Sequence, residues 1–134
     1  MRARLCRALA AEGIDEPFPI QALALPDGLA GRDICGKAST GSGKTVAFAL
    51  PMVQRIEWQR RPNPRGLVLV PTRELAVQVH EVLRPLARAA GLRVAAIYGG
   101  VSLDRQATAV RKGVDIVVAT PGRQTDLIER RVLS

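Results

Sequence analysis

Residues 33–45 read Asp33-Ile34-Cys35-Gly36-Lys37-Ala38-Ser39-Thr40-Gly41-Ser42-Gly43-Lys44-Thr45. A short apolar piece leads into a glycine-bearing loop, and a long apolar stretch follows. Glycines let successive backbone N–H groups turn inward around phosphate oxygens. In such a loop the lysine, here Lys44, reaches the β- and γ-phosphates, and the hydroxyl after it, Thr45, is a Mg²⁺ ligand. A helix that opens there aims the positive end of its dipole at the anion. Strand, loop and helix in this order are the first half of a βαβ unit. The stretch therefore predicts an α/β fold, with a short strand over 33–35 and a buried helix over 45–58.

The rest of the chain extends this pattern. Leu67-Val68-Leu69-Val70, Val94-Ala95-Ala96-Ile97 and Ile116-Val117-Val118-Ala119 are continuously apolar rather than alternating. A parallel strand buried on both faces reads this way. Helical patterns separate these runs. Leu75, Val79, Val82, Leu83 and Leu86 predict one apolar helix face, with Pro85 expected to kink or divide the helix. Leu103, Ala107 and Val110 repeat the pattern after Ser102, an expected N-cap. A further helix is expected after Gly122, built on Leu127 and Ile128. The whole implies a parallel β-sheet with helices on both faces. The segments after the four expected strands are 36–45, 71–76, 99–100 and 120–123. In such sheets they gather along one edge, outside the carboxyl ends of the strands, where ligands bind.

Length and composition narrow the reading. The chain has 134 residues, enough for one domain, and a formal charge of +8 from 20 basic and 12 acidic groups. Its hydrophobic fraction of 47% argues against disorder. No apolar run approaches the ~20 residues of a membrane helix, and the basic start MRARLCRALAAEG lacks the core of a signal peptide. A cytoplasmic location is expected. Cys6 and Cys35 form no CxxC pair, and His80 is the only histidine, so neither a disulfide framework nor a histidine metal site defines the chain. His80 is expected on a helix surface. Each half of the chain carries 10 basic and 6 acidic groups, so there is no basic tail. Polyanions are attracted to the domain as a whole. The polar, proline-bearing stretch 59–65 reads as a loop.

Three further segments carry chemistry. Pro71-Thr72-Arg73-Glu74-Leu75-Ala76 ends a strand, and Thr72 then opens a helix. Free N–H groups at that start can hold a phosphate, and Arg73 adds a charged fork. Gly99-Gly100 allows close approach of another backbone. Thr120-Pro121-Gly122-Arg123 repeats the strand end, helix start and arginine. Each alone is an ordinary turn. Together, on one edge, they suggest a track for a sugar-phosphate backbone, with little to read base edges.

These residues resemble those of the DEAD-box ATP-dependent RNA helicases. Residues 13–21, Gly13-Ile14-Asp15-Glu16-Pro17-Phe18-Pro19-Ile20-Gln21, look like that family's Q motif. ASTGSGKT at 38–45 is similar to motif I, including the alanine, and PTRELA at 71–76 to motif Ia. Gly99-Gly100 resembles the GG motif, and TPGR at 120–123 resembles motif Ib. The resemblance implies a RecA-like phosphate-loop NTPase lobe, here a single partial domain over 1–134. It implies that Gln21 reads the adenine edge, an amide offering donor and acceptor side by side. It further implies ATP and Mg²⁺ at Ser39, Thr40, Gly41, Ser42, Gly43, Lys44 and Thr45, with Lys44 and Thr45 catalytic and Thr45 the metal ligand. Pro71, Thr72, Arg73, Gly99, Gly100, Thr120, Pro121, Gly122 and Arg123 would contact RNA.

Residues 124–134 contain no D-E-A-D segment, and the second RecA-like lobe is not in the sequence. Asp126 and Glu129 read as solvated helix charges. The expectation is a fragment of an RNA-dependent ATPase and helicase with negligible turnover of its own. Two other readings stay open. One is a non-catalytic ATP- or RNA-binding module. The other is a different phosphate-loop NTPase.

Overall fold

In the computed structural model, residues 3–39, 43–58, 64–100 and 102–131 are described. The elements run α1 (Ala3–Ala11), α2 (Pro19–Leu29), α3 (Lys44–Arg55), β1 (Gly66–Leu69), α4 (Arg73–Ala89), β2 (Val94–Ile97), α5 (Leu103–Arg111), β3 (Ile116–Ala119) and α6 (Pro121–Glu129). The sheet is parallel throughout, in the order β1-β3-β2. Leu67 and Ala95 both pair with Val117, while Leu69 and Ile97 pair with Ala119. Among the described residues, no helix is long and apolar enough to cross a membrane.

The central strand shows why its sequence is apolar at every position. Ile116 and Val118 join the core built with α1, α3 and α4, whereas Val117 and Ala119 join the core built with α5 and α6. All four residues of β3 are buried. Successive side chains of a strand point to opposite faces, so helices on both sides require apolar residues without alternation.

β1 departs from that expectation. Val68 and Val70 pack into the first core. Leu67 and Leu69 share the face of Val117 and Ala119, yet they are 45% and 52% exposed. β1 is an edge strand, and no described helix covers it on that face. Exposed apolar strand edges invite association with other chains.

The expected strand over 33–35 does not form. Residues 32–39 follow no regular pattern, and Ile34 is 46% exposed. A three-residue run has few ladder bonds of its own, and none of the described strands pairs with it. A cavity of about 720 Å³ lies between this segment and β1, lined by Ile34, Gly36, Lys44, Phe48, Gly66 and Leu67 among others.

The helices sharpen other expectations. Pro85 neither divides nor ends α4, which is one helix of 17 residues. Leu83, Leu86 and Ala87 are fully packed on either side of the proline, and that burial keeps the axis together. The buried face of α4 is Ala76, Val79, Leu83, Leu86 and Ala87. Leu75 and Val82 stay more than a third exposed, so the face is turned by about one residue from the expected one. α3 ends at Arg55 rather than 58, and Phe48 is exposed between the buried Val46, Ala47, Ala49 and Leu50. α6 buries Leu127 and leaves Ile128 exposed. Ser102 caps α5 as expected, its Oγ accepting from the Arg105 N–H at 3.4 Å. His80 is half-buried on α4, and Cys6 and Cys35 are free and exposed. Residues 59–63 of the expected loop lie outside the described residues.

Candidate nucleotide and nucleic-acid interface

Gly43 is the N-cap of α3 and has φ +82, a conformation that L side chains rarely adopt. Glycine is needed there both for the dihedral and for space. A Cβ at Gly43 would come to 2.6 Å from Phe18 Cδ2 and would also collide with Gln21 Nε2. Lys44 follows at the exposed mouth of the cavity, with Thr45 half-buried beside it. Ser39 is exposed, and Thr40, Gly41 and Ser42 lie outside the described residues.

Gln21 comes from another element. It sits in the first turn of α2, is 2% exposed, and uses both ends of its amide. Its Nε2 donates to the Gly43 carbonyl at 3.1 Å, and its Oε1 accepts from the Phe18 N–H at 3.0 Å. These bonds tie the start of α2 to the start of α3 across 22 residues of sequence. An amide oxygen has two lone pairs and an amide nitrogen two hydrogens. The two bonds use one of each, which leaves one donor and one acceptor for a ligand edge.

The other three segments meet on the sheet's carboxyl edge. Because β3 lies between its neighbours, the register continues with Thr120 between Val70 and Tyr98, one residue before Pro71 and Gly99. The Val70 N–H donates to the Ala119 carbonyl, and the Thr120 N–H to the Ile97 carbonyl, both at 3.0 Å. Thr72 caps α4, its Oγ1 accepting from the Leu75 N–H at 3.2 Å. Thr120 is the N-cap of α6 and makes no side-chain capping bond. Its hydroxyl is thus not committed to its own helix start.

Arg73 and Gly100 are in intimate contact. Gly100 has φ +84, and a Cβ there would lie 2.6 Å from Arg73 Nη1. Arg73 is otherwise 3.9 Å from Glu74, with its side chain 55% exposed. Arg123 is held differently. Its side chain is only 15% exposed, its Nη1 donates to Gln106 Oε1 at 3.1 Å, and its Nε lies 3.8 Å from Asp126. The structure thus gives Asp126 a partner where the sequence suggested only a solvated charge.

Gln106 is the residue that sequence reasoning missed. It is 7% exposed and donates from Nε2 to the Tyr98 carbonyl at 3.0 Å. A signal was present, since a polar amide at 106 sits within the apolar stripe of 103, 107 and 110. Among the described residues, no group of three His, Cys, Asp or Glu side chains could hold a metal ion.

Comparison with known proteins places these features. The DEAD/DEAH box helicase family model matches residues 18–134. The chain is 50% identical over 120 residues to the pre-mRNA-processing ATP-dependent RNA helicase PRP5 of Mycosarcoma maydis, covering 87% of this chain and 10% of that protein. It is 52% identical over 124 residues to DEAD-box ATP-dependent RNA helicase 28 of Oryza sativa subsp. japonica, covering 91% and 16% respectively. Its fold is similar to the crystal structure of the RNA helicase Prp28 from Chaetomium thermophilum bound to ADP. That match has a TM-score of 0.90 and 47% identity, over 100% of this chain and 34% of that one. The chain spans only a tenth to a sixth of the length of the two relatives named. With a family model matched from Phe18 onward and its sheet and helices arranged as in a helicase of known structure, the chain belongs to the DEAD/DEAH box helicase family.

Proposed function

We propose that these 134 residues form the ATP- and RNA-binding part of a RecA-like lobe of a cytoplasmic ATP-dependent RNA helicase. The observation that carries the reading is the convergence of 71–73, 99–100 and 120–123 on one sheet edge, with Arg73 laid across Gly100. Two helix starts and an exposed arginine suit phosphates, and phosphate contacts carry no base sequence. RNA is held through its backbone, with Pro71, Thr72, Arg73, Gly99, Gly100, Thr120, Pro121, Gly122 and Arg123 as the contact set.

The residues around Gly43 fit a nucleotide. Exposed Lys44 and half-buried Thr45 line a cavity of about 720 Å³ and directly follow the left-handed Gly43. Gln21 would meet the adenine edge, Ser39–Thr45 the phosphates, and Thr45 the Mg²⁺ ion, which supplies charge neutralisation at the phosphates. Lys44 would hold its ammonium against the developing phosphate charge.

Turnover is a separate matter. An acidic group to position water and arginines from a second lobe are what phosphoryl transfer demands, and such arginines are worth ~10³–10⁵ in rate. This sequence supplies neither, so we expect no RNA-stimulated phosphate release from the 134 residues. Release that Lys44→Ala abolishes would overturn that expectation.

RNA contact is tested by fluorescence anisotropy on single-stranded RNA across a salt series. Arg73→Ala should weaken binding equally for all sequences and reduce the log–log salt slope by ~0.7 for each phosphate no longer neutralised. An unchanged slope counts against the track.

A further inference from the structure

The three backbone-binding segments belong to three separate loops, yet a track needs them at fixed spacing. Hydrogen bonds between β3 and its neighbours end at Thr120. Beyond that point the turn at 99–100 and the turn at 120–123 are free of the ladder. Among the described residues, the side chain of Gln106 joins them, donating to the Tyr98 carbonyl on one side and accepting from Arg123 on the other.

We propose that Gln106 is a positioning residue of the RNA edge, a buried amide strut that fixes the spacing between the glycine turn and the 120–123 turn. This rests on the reading of that edge as RNA-binding. An amide does both jobs with one planar group, because it carries a donor and an acceptor a bond angle apart. Burial of Gln106 to 7% exposure removes water as a competitor for either bond. The acceptor bond holds the Arg123 guanidinium in place, with Asp126 Oδ2 3.8 Å from its Nε. At the start of α6 the Thr120 hydroxyl makes no capping bond. The donor bond holds the residue just before Gly99-Gly100, and Arg73 packs on Gly100 from the far side. Arg73, Gly100, Tyr98, Gln106 and Arg123 form one connected line across the edge. Gln106 has both ends of its amide engaged within the protein.

The test compares Gln106→Leu, Gln106→Glu and Arg73→Ala in the 134-residue chain. RNA affinity is read with labelled oligouridylate, Mg-ADP affinity by titration, and folding by thermal melt. Gln106→Leu loses both bonds and should weaken RNA binding about tenfold while Mg-ADP affinity stays within about twofold. Gln106→Glu keeps an acceptor for Arg123 but sets a carboxylate against the Tyr98 carbonyl. Its RNA affinity should fall between Gln106→Leu and wild type. Should Gln106→Leu fail to fold, Gln106→Glu carries the test, and wild-type RNA affinity in that folded variant overturns the proposal. So does equal loss of RNA and Mg-ADP affinity, which marks a merely structural side chain. Weakening by Arg73→Ala alone rejects the strut and keeps the RNA edge. No effect from any of the three rejects the edge and the strut together.

Discussion

Mg-ADP should raise the melting temperature of the wild-type chain by about 10 °C at a hundredfold excess over its dissociation constant, and Gly43→Ala should remove most of that rise. The first figure follows from linkage. A ligand that binds only the native state at that excess adds about 2.7 kcal/mol, and each kcal/mol shifts a domain of this size by several degrees. The second follows from Gly43. Its φ of +82 costs an L-residue about 1–2 kcal/mol. The new Cβ would also strike Phe18 and Gln21, so the start of α2 must move away from the start of α3. That movement disturbs both halves of the proposed nucleotide site at once. Lys44→Ala separates the two effects. Lys44 is exposed, so its loss should leave the melting temperature without nucleotide unchanged while abolishing the rise. A full nucleotide shift in both variants would sink the phosphate-loop assignment.

Asp115→Ala is expected to cost about 3 kcal/mol of stability, the other large effect. Asp115 stands at the amino ends of all three strands. Its backbone carbonyl accepts from the Arg65 and Gly66 N–H groups at 2.8 and 3.0 Å, and its own N–H donates to the Arg93 carbonyl at 2.9 Å. Its side chain is 3% exposed, with Oδ2 accepting from the Arg93 N–H at 2.9 Å and Oδ1 lying 3.5 Å from Arg65 Nη2. The Arg65 guanidinium is in turn hydrogen-bonded to the Glu57 carbonyl. Removing the carboxylate leaves the Arg93 N–H without this acceptor and releases the arginine that ties the end of α3 to the sheet. Asp115→Asn keeps an oxygen for Arg93 and should cost about 1 kcal/mol. Urea unfolding reads both as a lower midpoint at unchanged slope. Midpoints equal to wild type would mean that the backbone bonds alone hold this corner.

Much of the architecture was legible because burial on both faces leaves a mark in composition. Ile116–Ala119 could be read as a central strand from its unbroken apolar run. The placement of 71–76, 99–100 and 120–123 on one edge followed from strands alternating with helices. Leu67 and Leu69 were misread for the same reason. Their composition is that of a strand covered on both sides, and composition carries no information about whether a covering element is present. The three residues over 33–35 were misread as a strand because a strand exists only through its partners, and none of the described strands pairs with them.

The site divides in the same way. Lys44, Thr45, Arg73 and the paired glycines stood out because phosphate chemistry demands those residue types in local order. Local order needs no tertiary contact to be recognised. Gln106 and Asp115 did not stand out, because their partners are 8 and 22 residues or more away in sequence. So the sequence by itself determined the family and the parallel α/β plan, and it singled out residue types suited to phosphate. Only the tertiary structure decided that Gln21 is bound to Gly43, that Arg123 is turned toward Gln106, and which face of β1 is left open. The physical reason is range. Propensity, periodicity and motif chemistry act over a few residues of chain, whereas a buried hydrogen bond or a covered face depends on groups brought together by folding.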